Sequence, residues 1–544
     1  MNRQTDTHRE PRRKGIPLPR AHFLGLAPLD TWARLLWIAR GRLSVKYALR
    51  LAFCLWTSFI GTVVTLPERI VLGPIVWWRF FRRGATATLH DGPPVVAVVG
   101  YYRSGTTHLH YLLSCDRRFT TPRWYQVASP KGWVLGWSVL RWAMLPMTPN
   151  RRPQDDVAFG PDYPAEDDFA LAAWNLSSSL PWRFMFPTRR DAMRRWQFLE
   201  DEAARDRFRR TLAAFCWKLG AITPSRRLLL KSPGHTARVR ELKEVFGDRI
   251  RFVHIVREPE AVIRSNTRMA RQLEGYALES PPRPQDTRRV FVEEYARTDA
   301  AAREQLAAIG AGHVAGIRYQ DLIADPVGEM ERIYAELGLG WSDTVRDSMV
   351  AYLREVAAYR TADQKASDGA RDRMDIGEET ERERAVCARL RSLHHAAPAV
   401  EAKPLPEHAG PDRAAMRRRL AWVAVPLAAA CCFGAWMGIA HWLGNRLDVF
   451  VWVWGTLIGT IAIRVARRGS VGLGLWCSAW FLVLVAASVY PLPEVAEGWT
   501  GPDRWNNIRS TYGGSINNNH IFILLGALAA WRYGSRTHAA PRGR

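Results

Sequence analysis

Four short apolar segments, each followed by a segment of helical periodicity, constrain the fold of this 544-residue chain more than any other feature. The segments occupy residues 94–99, 227–231, 251–256 and 313–319. They are mostly continuous runs of Val, Ile and Leu, a pattern typical of strands that are covered on both faces of a parallel sheet. The sequence therefore predicts an α/β domain over residues 91–355, with a parallel sheet flanked by helices.

Residues 1–90 precede this domain and are strongly basic. Within them, residues 51–67 carry no formal charge, with Lys46 and Arg50 before the run and Glu68 and Arg69 after it. A run of this length is near the lower limit for crossing a bilayer, whereas its flanks suit a helix in the membrane interface. We therefore predict membrane-interfacial helices here, with in-plane association favoured over a true span.

The amino-acid composition changes twice in the C-terminal part of the chain. Residues 356–412 are highly charged and then rich in Pro and Ala, which predicts a helical tail followed by a linker. Residues 413–544 are predicted to form a four-helix transmembrane region. Two of its runs, 420–445 and 471–493, contain no Asp, Glu, Lys or Arg and are long enough to span, and shorter apolar runs supply the other two.

Arginine clusters give the orientation of the predicted spans. They lie at residues 417–419, 464–468 and 532–544, and four crossings put all of them on one side of the membrane. The positive-inside rule assigns that side to the cytoplasm. The α/β domain is expected on the same side.

The charge of the chain limits its partners. The 77 Lys and Arg exceed the 52 Asp and Glu by 25, which implies an anionic partner. The basic residues are spread along the chain without an aromatic-rich platform, so we predict no nucleic-acid partner. Membrane-proximal arginines account for much of the charge. The seven cysteines show no zinc spacing, and we predict no metal site.

The segment PPVVAVVGYYRSGTTHLHYLLS joins a buried strand, a glycine loop and a helix start. The N–H groups of such a loop and the positive end of the helix dipole form an anion site. Gly100 and Gly105 have the spacing of a Walker A loop, so the predicted sheet is P-loop-like, but Thr106 replaces the lysine. The loop suits a single 5′-phosphate held by Arg103, Ser104, Thr106 and Thr107. The alternative is a tight strand-to-helix turn with a threonine cap.

Two further segments place polar residues after predicted strands. In RLLLKSPGHT, Lys231 ends a strand and Ser232 and His235 follow, so all three are expected at the sheet edge where ligands bind. A lone histidine is more often a cap or a surface residue than a base. In FVHIVREPEAVIRS, Arg257 and Ser265 lie about two helical turns apart and are able to share a second phosphate. A surface ion pair and a solvated serine are the alternative.

Together these segments resemble the sulfotransferase superfamily, whose members use 3′-phosphoadenosine 5′-phosphosulfate (PAPS). YRSGTT resembles the 5′-phosphosulfate loop, REPEAVIRS the 3′-phosphate motif, and RYQDLIADP the segment near the end of the fold. The resemblance covers roughly residues 90–340. It implies that Arg103, Ser104, Gly105, Thr106 and Thr107 hold the 5′-phosphosulfate, that Arg257 and Ser265 hold the 3′-phosphate, and that Lys231 contacts the transferring group. It implies no metal.

Two residues are candidates for the base. His235 follows Lys231 by four residues, whereas cytosolic animal members of the superfamily place their catalytic histidine directly after Lys-Thr. The tyrosylprotein branch uses a glutamate, and Glu166 begins an acidic cluster with Asp167 and Asp168. Such a cluster is usually a solvated face, but a buried glutamate is able to accept a hydroxyl proton. Both candidates stay open at this point.

The resemblance implies transfer of a sulfuryl group from PAPS to a hydroxyl or amine acceptor. The predicted membrane helices favour a lipid or lipid-linked acceptor over a free metabolite, and make membrane lipids a second partner. The expected location is the bacterial inner membrane, with the catalytic domain in the cytoplasm. A P-loop nucleotide kinase and a nucleotide-binding membrane scaffold without catalysis are the alternatives.

Overall fold

The structure is a computed structural model that describes most of residues 22–356 and, separately, residues 380–395. Within the first range, the residues outside the description are 137–139, 142–143, 145–158, 224–225, 281 and 311. The predicted transmembrane region 413–544, its four spans and the predicted linker lie outside the described residues.

Five parallel strands form one sheet in the order β2-β3-β1-β4-β5. The strands are β1 (Val95–Val99), β2 (Phe119–Thr120), β3 (Arg227–Lys231), β4 (Ile250–Val256) and β5 (Val314–Arg318). Residue Val95 pairs with Leu228 on one side and with Ile250 on the other, so β1 is central. The four predicted strands are confirmed within one residue at each end, and β2 is an edge strand that the sequence analysis did not predict.

Helices cover both faces of the sheet, and further helices precede and follow the strands along the chain. They are α1 (Leu29–Ile38), α2 (Ala48–Val71), α3 (Gly73–Val76), α4 (Thr106–Ser114), α5 (Trp124–Ala128), α6 (Asp167–Asn175), α7 (Leu180–Phe184), α8 (Arg190–Phe198), α9 (Glu202–Ile222), α10 (Val239–Phe246), α11 (Pro259–Gln272), α12 (Pro284–Ala307), α13 (Tyr319–Ala324), α14 (Pro326–Glu336), α15 (Asp343–Val356) and α16 (Glu381–His395).

Alternation along β1 explains why both faces of the sheet are covered. Successive side chains of a strand point to opposite faces, and every β1 side chain is buried. Val95, Ala97 and Val99 belong to one apolar cluster, which includes side chains of α9 and α10. Val96 and Val98 belong to a second cluster, formed with α4, α14 and α15. The core therefore has two layers, as the continuous apolar strands predict.

The N-terminal segment packs on the same body. Trp32 of α1 and Phe80, which follows α3, are buried in the first cluster. The segment Val45–Val71, which contains α2, is the one helix in the described part of the chain that is long and apolar enough to cross a membrane. The predicted apolar helix thus exists, and it contacts α1 and α3.

Candidate active site

The loops after β1, β3 and β4 meet at one edge of the sheet. Val98 is paired with Lys231, and Val99 with His254, so these three strands end at nearly the same level. β1 lies at the point where the order of strands reverses, which is where open parallel sheets bind ligands. The three segments that the sequence analysis singled out therefore converge.

The loop after β1 has the backbone of an anion site. Arg103 and Gly105 have φ values of 70° and 95°, so the chain turns sharply before α4 begins at Thr106. A Cβ atom on Gly105 would overlap the ring of Tyr319, which explains the glycine at this position. The Ser104 hydroxyl is buried and has no hydrogen-bond partner among the described residues. A bound phosphate oxygen at the helix N-terminus is a suitable acceptor for it.

A second group of polar side chains joins this loop to α11. Arg103 donates through Nε to Ser265 Oγ at 3.1 Å. Arg257 donates through Nη1 to the Arg103 carbonyl at 3.2 Å, and its guanidinium lies 4.4 Å from the centre of the Tyr319 ring. The structure therefore brings together the two arginines and the serine that the sequence analysis assigned to the two phosphates.

Lys231 lies between the loop and the acidic cluster. Its Nζ atom donates to Glu166 Oε1 at 2.5 Å and is 3.4 Å from Thr107 Oγ1. The Lys231 side chain is 2% exposed and that of Glu166 is 14% exposed. A cation thus contacts both a partly accessible carboxylate and a hydroxyl of the first turn of α4.

The next two carboxylates have partners of their own in the turn after β3. Asp167 bonds to His235 through Oδ2 and accepts a hydrogen bond from the Lys231 backbone N–H at 3.1 Å. Asp168 pairs with Arg238 at 3.0 Å. Burial acts to raise the pKa of the Asp167 carboxyl, but the charge and hydrogen bond of His235 hold that pKa below its ordinary value. Glu166–Asp168 therefore fasten the start of α6 to the segment 231–238.

His235 is fully enclosed. Its side chain has no exposed surface, its Nε2 atom contacts Asp167, and its ring meets Phe208 edge-on. A residue in this position supports the end of β3. Glu166 is the candidate base that the structure leaves partly accessible beside Lys231.

Aromatic side chains lie close to Glu166 along the chain and in space. Phe169 comes one helical turn after Glu166, and its ring centre is 4.9 Å from that of Trp124 and 5.5 Å from that of Phe23. We call these rings and their neighbours the aromatic cluster; its members are Phe23, Trp124, Phe159, Phe169, Phe184 and Tyr276. The Trp124 indole N–H is buried without a partner among the described residues.

An apolar cavity adjoins the aromatic cluster. Its lining includes Phe184, Met193, Met269, Leu273 and Phe291. Phe184 is shared with the aromatic cluster, so apolar surface extends from the neighbourhood of Glu166 into the cavity.

The sequence analysis missed three residues that complete the site. Thr236 accepts a hydrogen bond from Gly100 N–H at 2.8 Å, Arg238 neutralises Asp168, and Tyr319 packs against both Gly105 and Arg257. Thr236 is the last residue of RLLLKSPGHT, Arg238 lies two residues after it, and Tyr319 belongs to RYQDLIADP. All three residues therefore lie in or beside a motif that the sequence analysis had already recognised, and this proximity could have identified them.

The profile of the sulfotransferase family matches residues 94–343. Over 343 residues the chain is 30% identical to the omega-hydroxy-beta-dihydromenaquinone-9 sulfotransferase Stf3 of Mycobacterium bovis, a match that covers 61% of this chain and 82% of the relative. The protein of the same name from Mycobacterium tuberculosis matches with the same identity and coverage.

Two solved structures are also similar to this chain. Sulfotransferase STF1 from Mycobacterium tuberculosis has a TM-score of 0.47 and 18% identity, with 67% of this chain and 92% of that chain covered. Sulfotransferase STF9 from Mycobacterium avium has a TM-score of 0.46 and 17% identity, with 71% and 99% covered.

The buried pair of Asp168 and Arg238 gives a stability prediction. Asp168→Asn removes the negative charge without changing the side-chain size and leaves the fully buried guanidinium without its counter-charge. Such a loss is expected to lower the free energy of unfolding by about 3 kcal/mol. Urea unfolding of the full chain in detergent, followed by tryptophan fluorescence, measures this change.

The double change Asp168→Asn with Arg238→Met should recover most of the lost stability, because it removes the unpaired charge. Asp248→Asn is the matched control, since Asp248 is 94% exposed in its pair with Lys243 and should leave stability nearly unchanged. An Asp168→Asn protein as stable as the unaltered one would show that the pair does not hold α6 in place.

Proposed function

The chain belongs to the sulfotransferase family, and from that premise we propose that it transfers a sulfuryl group from PAPS to a hydroxyl group of a lipid acceptor. The observation that carries the proposal is the position of Lys231, whose ammonium contacts both Glu166 and Thr107. A base, a cation and an anion site meet there, which is the set that attack of a hydroxyl on a phosphosulfate requires.

The assignment of PAPS as the donor rests on two proposed anion sites, one at the N-terminus of α4 and one beside α11. In the proposal, Ser104, Thr106 and Thr107 hold the 5′-phosphosulfate at the N-terminus of α4, where the Ser104 hydroxyl has no protein partner. Arg257 and Ser265 hold the 3′-phosphate, and Arg103 joins the two sites through its bond to Ser265. A nucleotide kinase would need a lysine where Thr106 stands, so this alternative is not favoured.

The proposed reaction balances as a single displacement. The acceptor oxygen forms a bond to sulfur while the bond from sulfur to the bridging oxygen of the 5′-phosphate breaks. Glu166 accepts the proton of the acceptor hydroxyl. Lys231 and the N–H groups of α4 stabilise the negative charge that develops on the bridging oxygen.

Accessibility supports Glu166 over His235 as the base. Glu166 retains some exposure beside Lys231, whereas His235 is enclosed and bonded to Asp167. A base must come within hydrogen-bond distance of the acceptor hydroxyl. We therefore propose Glu166 as the base and His235 as a positioning residue, which holds Asp167 and through it the backbone of Lys231.

The acceptor class rests on apolar surface beside the proposed base. The aromatic cluster begins one turn after Glu166, and the cavity beyond it is lined mainly by apolar side chains. Surfaces of this kind suit the chain of a lipid. The relative Stf3 is named for omega-hydroxy-beta-dihydromenaquinone-9, a lipid with a terminal hydroxyl group, which supports the same acceptor class here.

We also propose that residues 413–544 anchor the protein in the bacterial inner membrane by four spans, with the catalytic domain in the cytoplasm. The arginine clusters on one side of the predicted spans support this orientation. A cytoplasmic domain has direct access to PAPS made in the cytosol.

Replacing Arg257 with alanine tests the nucleotide assignment. Loss of a charge-assisted contact should weaken binding of 3′-phosphoadenosine 5′-phosphate by about 2 kcal/mol, or roughly 30-fold. Isothermal titration calorimetry measures the affinity, and Arg346→Ala, at an exposed arginine of α15, serves as the control. Unchanged affinity in Arg257→Ala, or equal stabilisation of the unaltered protein by ATP, would refute the assignment.

Paired variants test the base. Glu166→Gln should lower kcat by about 10²–10⁴-fold and remove the acidic limb of its pH profile, because it eliminates the proton acceptor. His235→Gln should keep turnover within about tenfold and keep that limb, since a positioning residue does not accept the proton. Turnover is expressed per site that binds 3′-phosphoadenosine 5′-phosphate. The reverse pattern, or near-normal turnover in both variants, would contradict the assignment of Glu166.

A further inference from the structure

The burial pattern of helix α2 is the reverse of that of a helix on the surface of a water-soluble protein. Helices there bury their apolar stripe and expose polar side chains. The residues that α2 buries are small or polar: Cys54, Thr57, Ser58, Gly61, Thr65 and Glu68. Its large apolar side chains are exposed instead, including Trp56, Phe59, Ile60, Val63, Leu66 and Ile70.

Specific bonds fix this orientation along the helix. Ser58 donates to the Ala27 carbonyl at 2.6 Å, and Thr62 Oγ1 accepts from the Leu29 N–H at 2.9 Å. A Cβ atom on Gly61 would overlap the backbone of Leu26, so the two segments are in close contact. Rotation of α2 to bury its apolar side would break each of these contacts.

A buried ion pair fixes the C-terminal half of α2. Glu68 Oε1 is 2.5 Å from Lys218 Nζ of α9, and the two side chains are 1% and 3% exposed. Glu68 Oε2 also accepts hydrogen bonds from the backbone N–H groups of Val134 and Leu135, at 2.6 and 2.9 Å. Because an unpaired buried charge is strongly destabilising, α2 and the catalytic domain are fastened together.

Exposed apolar side chains are concentrated on this part of the molecule. Of the 15 large hydrophobic residues that are exposed among the described residues, 13 lie between Trp37 and Trp78. The other two are Tyr163 and Ile323. We call the 13 side chains the apolar face. A concentration of exposed apolar side chains of this kind marks an interaction surface.

Basic residues predominate in the segment that carries the apolar face. Between residues 31 and 89 the sequence has nine Arg and Lys but one acidic residue, Glu68, which is buried in its pair with Lys218. Four of the exposed side chains in the apolar face are tryptophans, at positions 37, 56, 77 and 78. Tryptophan and basic residues around an apolar surface are typical of helices that lie at the boundary of headgroups and acyl chains.

We propose that the apolar face lies in the plane of a bilayer that contains anionic lipids, with the axis of α2 parallel to the membrane. This placement goes beyond sulfuryl transfer, because it concerns where the catalytic domain sits whatever the acceptor is. A second copy of the chain does not suit the same face, since a symmetric contact would bring two basic rims together.

The buried contacts of α2 also argue against a span. If α2 crossed the bilayer in this packing, Glu68, Lys218 and the backbone around Leu26 and Val134 would enter the hydrocarbon with it. Charged and polar groups at that depth are strongly unfavourable. An in-plane helix leaves them on the protein side, away from lipid.

The proposed contact also orients the proposed active site. The segment 24–29 that receives Ser58 and Gly61 of α2 follows directly after Phe23, a member of the aromatic cluster. The cluster continues from Phe23 to Phe169, one turn after Glu166. Helix α2 is therefore connected, through residues 24–29 and then the aromatic cluster, to the helix that begins after the proposed base.

Depth measurements by electron paramagnetic resonance test the proposal on the full chain. Nitroxide labels are attached at Leu49, Phe59 and Ile70, all exposed on α2, in a cysteine-free background reconstituted into vesicles of phosphatidylethanolamine and phosphatidylglycerol. Relaxation by oxygen and by a water-soluble nickel complex gives the depth of each label. The control label is at Ile323, an exposed apolar residue outside the apolar face.

An in-plane helix predicts that the three labels lie at the same shallow depth, about 5–10 Å below the headgroups, while Ile323 reports water. A span predicts that Phe59 is deepest, because each end label is about 15 Å from it along the helix. That gradient, or water at all three positions, would overturn the proposal. So would spin–spin broadening that disappears on dilution with unlabelled protein, which would identify a second copy as the occupant.

The same labelled proteins separate this proposal from the proposed function. Binding of 3′-phosphoadenosine 5′-phosphate to each labelled protein confirms that the catalytic domain is folded. If binding persists while the three labels report water, the membrane contact is wrong and the sulfotransferase assignment is unaffected.

Discussion

The active site depends on one run of three carboxylates that pairs with Lys231, His235 and Arg238 of one short segment. Glu166–Asp168 begin α6, and their partners all lie within residues 231–238. Buried charges require such partners, because desolvation without compensation is costly. The two fully buried pairs, Asp167 with His235 and Asp168 with Arg238, hold α6 against the end of β3. The third pair, Glu166 with Lys231, lies beside Thr107 in the first turn of α4.

The sequence predicted the sheet well, because strands buried on both faces are marked by continuous apolar runs. It also predicted the glycine turn between β1 and α4, since the glycine spacing and the hydroxyl residues lie within eight positions, whereas phosphate binding by this loop stays a prediction. It did not predict β2, which has two residues and no periodicity. The pairing of residues 166–168 with 231–238 was also unpredictable, because about 65 residues separate the partners and no pattern marks them. For the same reason the sequence left Glu166 and His235 equal, whereas burial distinguishes them.

For helix α2, the sequence predicted that a helix forms but not which of its sides is buried. The uncharged run 51–67 indicates an apolar helix, but composition does not tell which side of the helix faces the protein. The contacts of Ser58, Gly61 and Glu68 supply that information and turn the large apolar side chains outward. The aromatic cluster shares Phe184 with the cavity and reaches Phe169, one helical turn after the proposed base. This arrangement suits an acceptor with an apolar chain.

Transfer of radioactive sulfur from labelled PAPS to a lipid extract tests the central claim most directly. The full chain is incubated with the donor and with membrane lipids, and the organic phase is separated by chromatography. The account predicts a labelled lipid that is absent with Lys231→Met, because this change removes the cation that stabilises the leaving phosphate. Label that stays in the aqueous phase, or an equal lipid product with the Lys231→Met protein, would contradict it.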